Sequence, residues 1–233
     1  MRISVSGKNA MQEVFASLQQ SLPYILGGCI ITIGSVATAL ALGLVLGVPM
    51  AIGQVYGSAL PRFIIGIYVW FFRGTPILVL LFLLYFGLFW PLLKLSAFPS
   101  ACIVLGLTSA AYQSQIFRGA IEALPHGQLK AARALGMSDF CGISWIIMPQ
   151  AIRLALPGWS NEFSILLKDS ALIYLLGASD IMARIHHVAD RTAMHFTYSI
   201  LAGVLYFIIT LLGLKLLRKL ELKIAIPGYQ GGA

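Results

Sequence analysis

The chain has 233 residues, of which 59% are hydrophobic and only 10% charged, with a mean hydropathy of +0.88. Charged residues normally make up about a quarter of a soluble domain, so this composition excludes one. The formal net charge of +8 does not point to nucleic acid, because the basic residues are scattered between apolar segments; a bias of Lys and Arg toward one side of a membrane explains them better. Cys29, Cys102 and Cys141 are odd in number and widely spaced, in or beside apolar runs. They read as small hydrophobes with no disulfide or metal framework.

Residues 1–23 form a short polar N-terminal segment with Arg2, Lys8 and Glu13. Its amphipathic run 14–22 suits the membrane surface, and no signal-peptide cleavage pattern follows it. Residues 24–55 carry no charge, which predicts span 1 at 26–50. Its glycines (Gly27, Gly28, Gly34, Gly43, Gly47) suit close helix packing in lipid. Residues 61–73 are apolar but too short to cross a core that needs about 20 residues. Arginines at both ends and an aromatic belt predict a helix lying at the cytoplasmic interface. It should end at Arg73-Gly74-Thr75-Pro76, where glycine breaks one helix and proline starts the next, span 2 at 77–90.

Span 3 is predicted at 99–121. Thr108, Tyr112 and Gln115 recur on one helical face there, and in lipid such a stripe faces the bundle or a cavity. It serves either a translocation path or interhelical hydrogen bonding. Residues 128–149 read as a polar hairpin between spans: a helix-forming run (Leu129, Ala131, Ala132, Leu135), a break at Gly136 suited to a left-handed C-terminal position, and a second run ending in Pro149.

Span 4, at 157–177, holds Asn161, Glu162, Lys168 and Asp169. Seven residues are nearly two turns, so 161 and 168 share one face and 162 and 169 the next. Intramembrane charges cost from about 2.5 kcal/mol upward and should pair or line a polar cavity. Two readings stay open: a substrate path, with Lys168 for a carboxylate and Glu162 or Asp169 for an ammonium group, or ion pairing with a partner helix or subunit. Residues 178–196 read as a solvated, partner-facing segment; His186, His187 and His195 show no metal-ligand spacing. Span 5 follows at 197–217, then a basic amphipathic stretch at 215–223 suited to anionic headgroups and a Gly-rich tail expected to be disordered.

The expectation is an all-α integral membrane protein of about five transmembrane helices, with an N-terminal segment 1–23, a transmembrane domain 24–221 containing a cytoplasmic loop 122–150, and a tail 222–233. With that loop inside, the N-terminus lies outside and the C-terminus in the cytoplasm. Ten Lys and Arg, among them Arg62, Arg73, Lys130 and Arg133, then lie inside, against five outside (Arg2, Lys8, Lys94, Arg184, Arg191). That follows the positive-inside rule.

The hairpin resembles the signature of binding-protein-dependent ABC transporter permeases: Glu-Ala-Ala, three residues, Gly, nine residues, Ile, one residue, Leu-Pro. Ala131, Ala132, Gly136, Ile146 and Pro149 match; Lys130 stands where the family has Glu, and Met148 where it has Leu. Arg73-Gly74-Thr75-Pro76, the run at 111–121 and Asn161-Glu162…Lys168-Asp169-Ser170 resemble the polar-amino-acid (histidine, glutamine, arginine) branch, which usually has Glu where Gln115 stands. The resemblance implies a type I ABC importer permease fold and an amino acid importer subunit in a bacterial inner membrane. It implies a dimer with a second copy or paralogue around a translocation path, a partner ATPase dimer carrying ATP and magnesium, and an external solute-binding protein. Ala131, Ala132 and Gly136 would make the coupling contact with the ATPase. The chain has no Gly-x-x-x-x-Gly-Lys-Ser/Thr run and so no phosphate loop for ATP; no enzyme constellation is legible. Two further readings stay open: a stand-alone secondary transporter or channel using Glu162, Lys168 and Asp169 as a relay, and an assembly factor for a membrane complex.

Overall fold

The computed structural model describes residues 7–224, with side chains from residue 12. The calls on Arg2, the Lys8 side chain and the tail beyond Ile224 lie outside the described residues. Every regular element within them is helical.

Helix α1, Gly7–Tyr56, runs through Pro23 and Pro49 without a break. The sequence reading separated a surface segment at 14–22 from span 1; the structure has no boundary there. Ser17 and Ser21 both hydrogen-bond the buried Tyr198 hydroxyl, at 2.7 and 2.9 Å, and hold that part of α1 to the bundle. Helix α2, Ala59–Gly74, and α3, Ile77–Leu93, meet at 107°. Thr75 between them is extended (φ −102°, ψ 132°), as a residue preceding proline should be. The break thus falls where the arginine-glycine-threonine-proline run predicts it. α2 buries Val69 and Phe72 while Phe63, Ile64, Ile67 and Trp70 stay exposed, the pattern of a helix with lipid against its outer face.

Helix α4, Ala97–Glu122, is the centre of the bundle. It lies closely along α1 because Gly47 has no side chain: a Cβ there would stand 3.0 Å from the Ala110 carbonyl oxygen and 3.1 Å from Gln113 Cβ. Helix α5, Gly127–Ala134, leads into α6, Asp139–Leu176. The second half of the hairpin does not end at Pro149, nor does span 4 begin at Pro157: both prolines lie within α6. For Pro149 the reason is a π-turn at Ile143–Ile147, closed by the Met148 N–H on the Ile143 carbonyl. The wider turn precedes Pro149, which has no N–H to donate. The expected loop 122–150 is therefore mostly helical.

α6 tightens to a 3₁₀ turn over Ser170–Leu176 and stops at Gly177, φ +96°. Helix α7, Ile181–Thr192, begins at Asp180, whose side chain accepts from the Ala183 N–H at 2.9 Å. Helix α8, His195–Ile224, completes the chain.

Among the described residues, α1, α6 and α8 are long and apolar enough to cross a membrane, and α2 with α3 adds a fourth crossing if the bent pair is one span. α4 is 26 residues long but buries Ser100, Thr108, Ser109, Gln113 and Ser114; these polar side chains face protein. Three apolar clusters stack along the bundle. One, around Phe117, Ile121, Ile147 and Ala151, underlies the α5 end. A middle cluster centres on Leu80, Leu81, Leu105 and Leu167. The third, around Ile25, Ile181, Ile185 and Tyr198, closes the opposite end.

Candidate functional site

The hairpin is built as a rigid corner. α5 ends because Gly136 takes φ +80°, a conformation other L-residues adopt at a cost. The Met137 N–H then reaches the Ala132 carbonyl at 3.1 Å and the Gly136 N–H the Arg133 carbonyl at 3.0 Å. This pair of bonds satisfies two helix-end carbonyls. Ser138 caps α6, accepting from the Cys141 N–H. Across the corner, Arg133 Nε and Nη2 donate to Asp139 Oδ1 and Oδ2 at 2.6 and 2.9 Å, a two-point geometry that lysine cannot reproduce. The carboxylate bond raises the Arg133 guanidinium above its ordinary value. Gln128 and Gln150 exchange reciprocal amide bonds of 3.0 Å, and Gln150 also donates to the Ile146 carbonyl inside the π-turn at 2.7 Å.

The predicted hairpin residues divide. Lys130, Ala131, Gly136 and Pro149 are exposed and Ile146 is half-buried. Ala132 is not on the surface: it is 1% exposed and packs toward Gly142. Its small side chain closes the corner from within and is not available for contact with another protein. The large apolar side chains that do stand out are Leu135, Phe140 and Trp145, 82%, 78% and 76% exposed. Sequence reasoning placed Leu135 in the helix-forming run but gave none of the three an exposed role, because each reads as an ordinary apolar position of a helical run.

The span-4 residues divide as well. Glu162 is buried, Asp169 half-buried, and Asn161 and Lys168 exposed. Asn161 and Lys168 are thus both exposed, whereas Glu162 and Asp169, seven residues apart on the same helix, are buried to different extents. Glu162 Oε1 accepts from Ser109 Oγ at 2.7 Å. Ser109 Oγ accepts in turn from Gln113 Nε2 at 3.0 Å; that amide also donates to the Leu40 carbonyl at 3.1 Å, and Gln113 Oε1 accepts from Trp159 Nε1 at 2.9 Å. One glutamine thus ties α1, α4 and α6 around the buried carboxylate. Ser109 and Gln113 form a second polar stripe one residue along from the predicted one, and their i, i+4 spacing was the signal available for it.

The predicted stripe itself has mixed partners. Thr108 bonds its own helix at the Val104 carbonyl. The Arg73 guanidinium sits 5.0 Å above the Tyr112 ring, so the α2–α3 corner touches this stripe. Gln115 Nε2 donates to Gln54 Oε1 on α1 at 2.7 Å. At the far end, Asp180 is wholly buried and accepts from the Tyr206 hydroxyl at 3.2 Å, which corrects the reading of 178–196 as solvated throughout. The histidines there go separate ways: His186 stacks on Tyr174, His187 lies near Tyr24, and His195 lies 3.8 Å from Asp190.

The family described as "Binding-protein-dependent transport system inner membrane component" matches residues 43–225. The histidine/lysine/arginine/ornithine transport system permease protein HisM of Salmonella typhimurium is 35% identical over 221 residues, covering 91% of this chain and 94% of that protein. HisM of Escherichia coli K12 is 36% identical over 221 residues, covering 91% and 93%. A crystal structure of an amino acid ABC transporter with histidines superposes with a TM-score of 0.80 at 32% identity, covering 90% of this chain and 98% of that one. The inward-facing MetNI methionine ABC transporter superposes with a TM-score of 0.67 at 20% identity, covering 84% and 96%, a likeness of fold.

Proposed function

The chain belongs to the family of binding-protein-dependent transport system inner membrane components, and we propose that it is the permease subunit of an ATP-driven amino acid importer in a bacterial inner membrane. In this reading it forms the translocation path with a second copy or a paralogue. A cytoplasmic ATPase dimer supplies ATP and magnesium, and an external binding protein delivers the amino acid. The hairpin and C-terminus face the cytoplasm, and α1, α2–α3, α4, α6 and α8 make five crossings. The names of the HisM relatives, and a carboxylate held in the bundle at Glu162, support a basic or polar amino acid as cargo.

The observation that carries the reading is the continuity of α6. One helix begins at Asp139, in the hairpin, and carries Glu162 and Asp169 in the bundle. From 139 to 162 is 23 residues, about 35 Å of helix. Because Arg133, Ala132 and Gln128 fasten α5 to α6, a displacement of the hairpin moves a lever that ends at the buried carboxylate. Leu135 and Phe140 are the apolar surface on which the ATPase docks. ATP then acts by favouring one state of the bundle through differential contacts at that surface. Thr108, Tyr112, Gln115, Asn161, Glu162, Lys168 and Asp169 remain the candidate path, with Arg73 added beside Tyr112.

Gly136→Asp tests this assignment. It opposes the left-handed turn and places a charge beside Leu135, so the complex should hydrolyse ATP without accumulating substrate while the chain stays in the membrane. Normal uptake by that variant would remove the hairpin from the coupling role.

A further inference from the structure

Resting on the reading that the C-terminus faces the cytoplasm, we propose that the groove between α1 and α8 seats the acyl chain of an anionic phospholipid, its headgroup bound by Lys219 and Lys223. The groove, about 400 Å³, is walled by Ile33 and Ala37 of α1 and by Leu212 and Leu216 of α8, and floored by Trp159 and Phe163 of α6. α1 and α8 are joined at the outer end, where Ser17 and Ser21 bond Tyr198. Below that, α1 packs chiefly on α4 and α8 on α6, which leaves the groove between them. Gly213 brings α8 down onto the floor, since a Cβ there would collide with the Phe163 ring. The lining offers a guest no free polar group: the indole N–H of Trp159 is already given to Gln113. Ile33, Leu212 and Leu216 are nonetheless exposed.

Charge selects the guest. Lys219 and Lys223 stand seven residues after Leu212 and Leu216, nearly two turns, so they continue that wall of the groove toward the cytoplasm. Both are exposed, and neither has an ion pair among the described residues. Glu221, the only acid from 215 to 223, is two residues from each and therefore on the opposite side of the helix. An apolar slot that ends at two ammonium groups matches a lipid tail joined to a headgroup of net negative charge. A zwitterionic headgroup carries its own ammonium and gains less there. A second copy of the chain is the poorer fit. Asn161 and Lys168, which belong to the candidate path between the copies, lie roughly 140–160° around α6 from Phe163. The groove therefore turns away from that path and toward lipid.

The test uses the whole complex of this chain, its ATPase and its binding protein in phosphatidylcholine bilayers. Each bilayer carries a trace of either phosphatidylglycerol or phosphatidylcholine with a photoreactive diazirine on its acyl chain, and the labelled peptides are mapped. Phosphatidylglycerol should label 33–40, 159–167 and 209–217 about fivefold more than phosphatidylcholine does. Lys219→Gln with Lys223→Gln should erase that excess and leave the phosphatidylcholine labelling unchanged, the sign of an intact groove. Ala37→Trp, which fills the groove, should remove the labelling of 159–167 by both lipids. Equal labelling of the wild type by the two lipids would overturn the proposal, as would an excess that survives either variant. Crosslinks between two copies of Ala37→Cys, with no lipid label in the groove, would assign it to a second copy and also overturn it. ATP-independent uptake by the wild-type complex would instead overturn the proposed function, whatever the labelling.

Discussion

Ala132 packs against Gly142: a Cβ built on Gly142 would stand 3.3 Å from the Ala132 Cβ and 2.8 Å from Leu129 Cδ1. The corner between α5 and α6 is therefore closed by the absence of a side chain on one helix and the smallest side chain on the other. Gly142→Val should force α5 off α6 at a cost of about 1–3 kcal/mol, the usual range for overpacking. The expected outcome is ATP hydrolysis with much reduced uptake, read as the ratio of substrate moved to ATP consumed. An unchanged ratio would show that the corner need not be rigid.

At Gly136 the constraint is backbone conformation alone, because a Cβ there would meet nothing within 4 Å. Replacement by Ala should cost about 1 kcal/mol, with Asn milder and a β-branched residue worse. The order Gly, Asn, Ala, Val in coupled uptake is the expected series. A flat series would mean that the turn is held by its neighbours whatever residue occupies it.

Gln113→Leu removes two interhelical hydrogen bonds, one to the Leu40 carbonyl on α1 and one from Trp159 on α6, along with the bond to Ser109 on its own helix, and leaves the Trp159 indole N–H without its acceptor. Interhelical bonds in membrane proteins average about 0.6 kcal/mol each, so a loss of about 1–2 kcal/mol is expected. Thermal unfolding in detergent should show it as a Tm lower by several degrees. Gln113→Glu keeps an acceptor for Trp159 but sets a second carboxylate close to Glu162, and should be the more damaging change.

Glu162→Gln keeps an oxygen that accepts from Ser109 while removing the charge. Folding should survive, with a Tm close to wild type, while uptake of a cationic amino acid falls about tenfold or more. Lys168→Met, on an exposed position, should affect cationic substrates less. Equal uptake by the wild type and Glu162→Gln would place the ammonium site elsewhere.

Much of this was legible in the chain because the informative residues act locally. The arginine-glycine-threonine-proline corner and the Gly136 turn are decided by backbone preferences of a few neighbouring residues, and both stand where the pattern put them. The continuity of α6 was hidden because Pro149 and Pro157 ordinarily signal a helix boundary, and the π-turn that accommodates the first has no plain sequence mark. The depth of Glu162 relative to Asp169 was hidden for another reason. Helical spacing assigns a face, but only the position of α4 and its Ser109 decides how far that face is buried. Lys130 was conspicuous as a reversal of sign, yet its surroundings include Tyr56, far away in sequence.

The most direct measurement is uptake of labelled amino acids into proteoliposomes holding this chain with its ATPase and its binding protein, with and without ATP. ATP-dependent accumulation of a basic or polar amino acid is the predicted result. Accumulation driven by a proton gradient in the absence of ATP would contradict the account and make Glu162, Lys168 and Asp169 an ion relay of a stand-alone transporter.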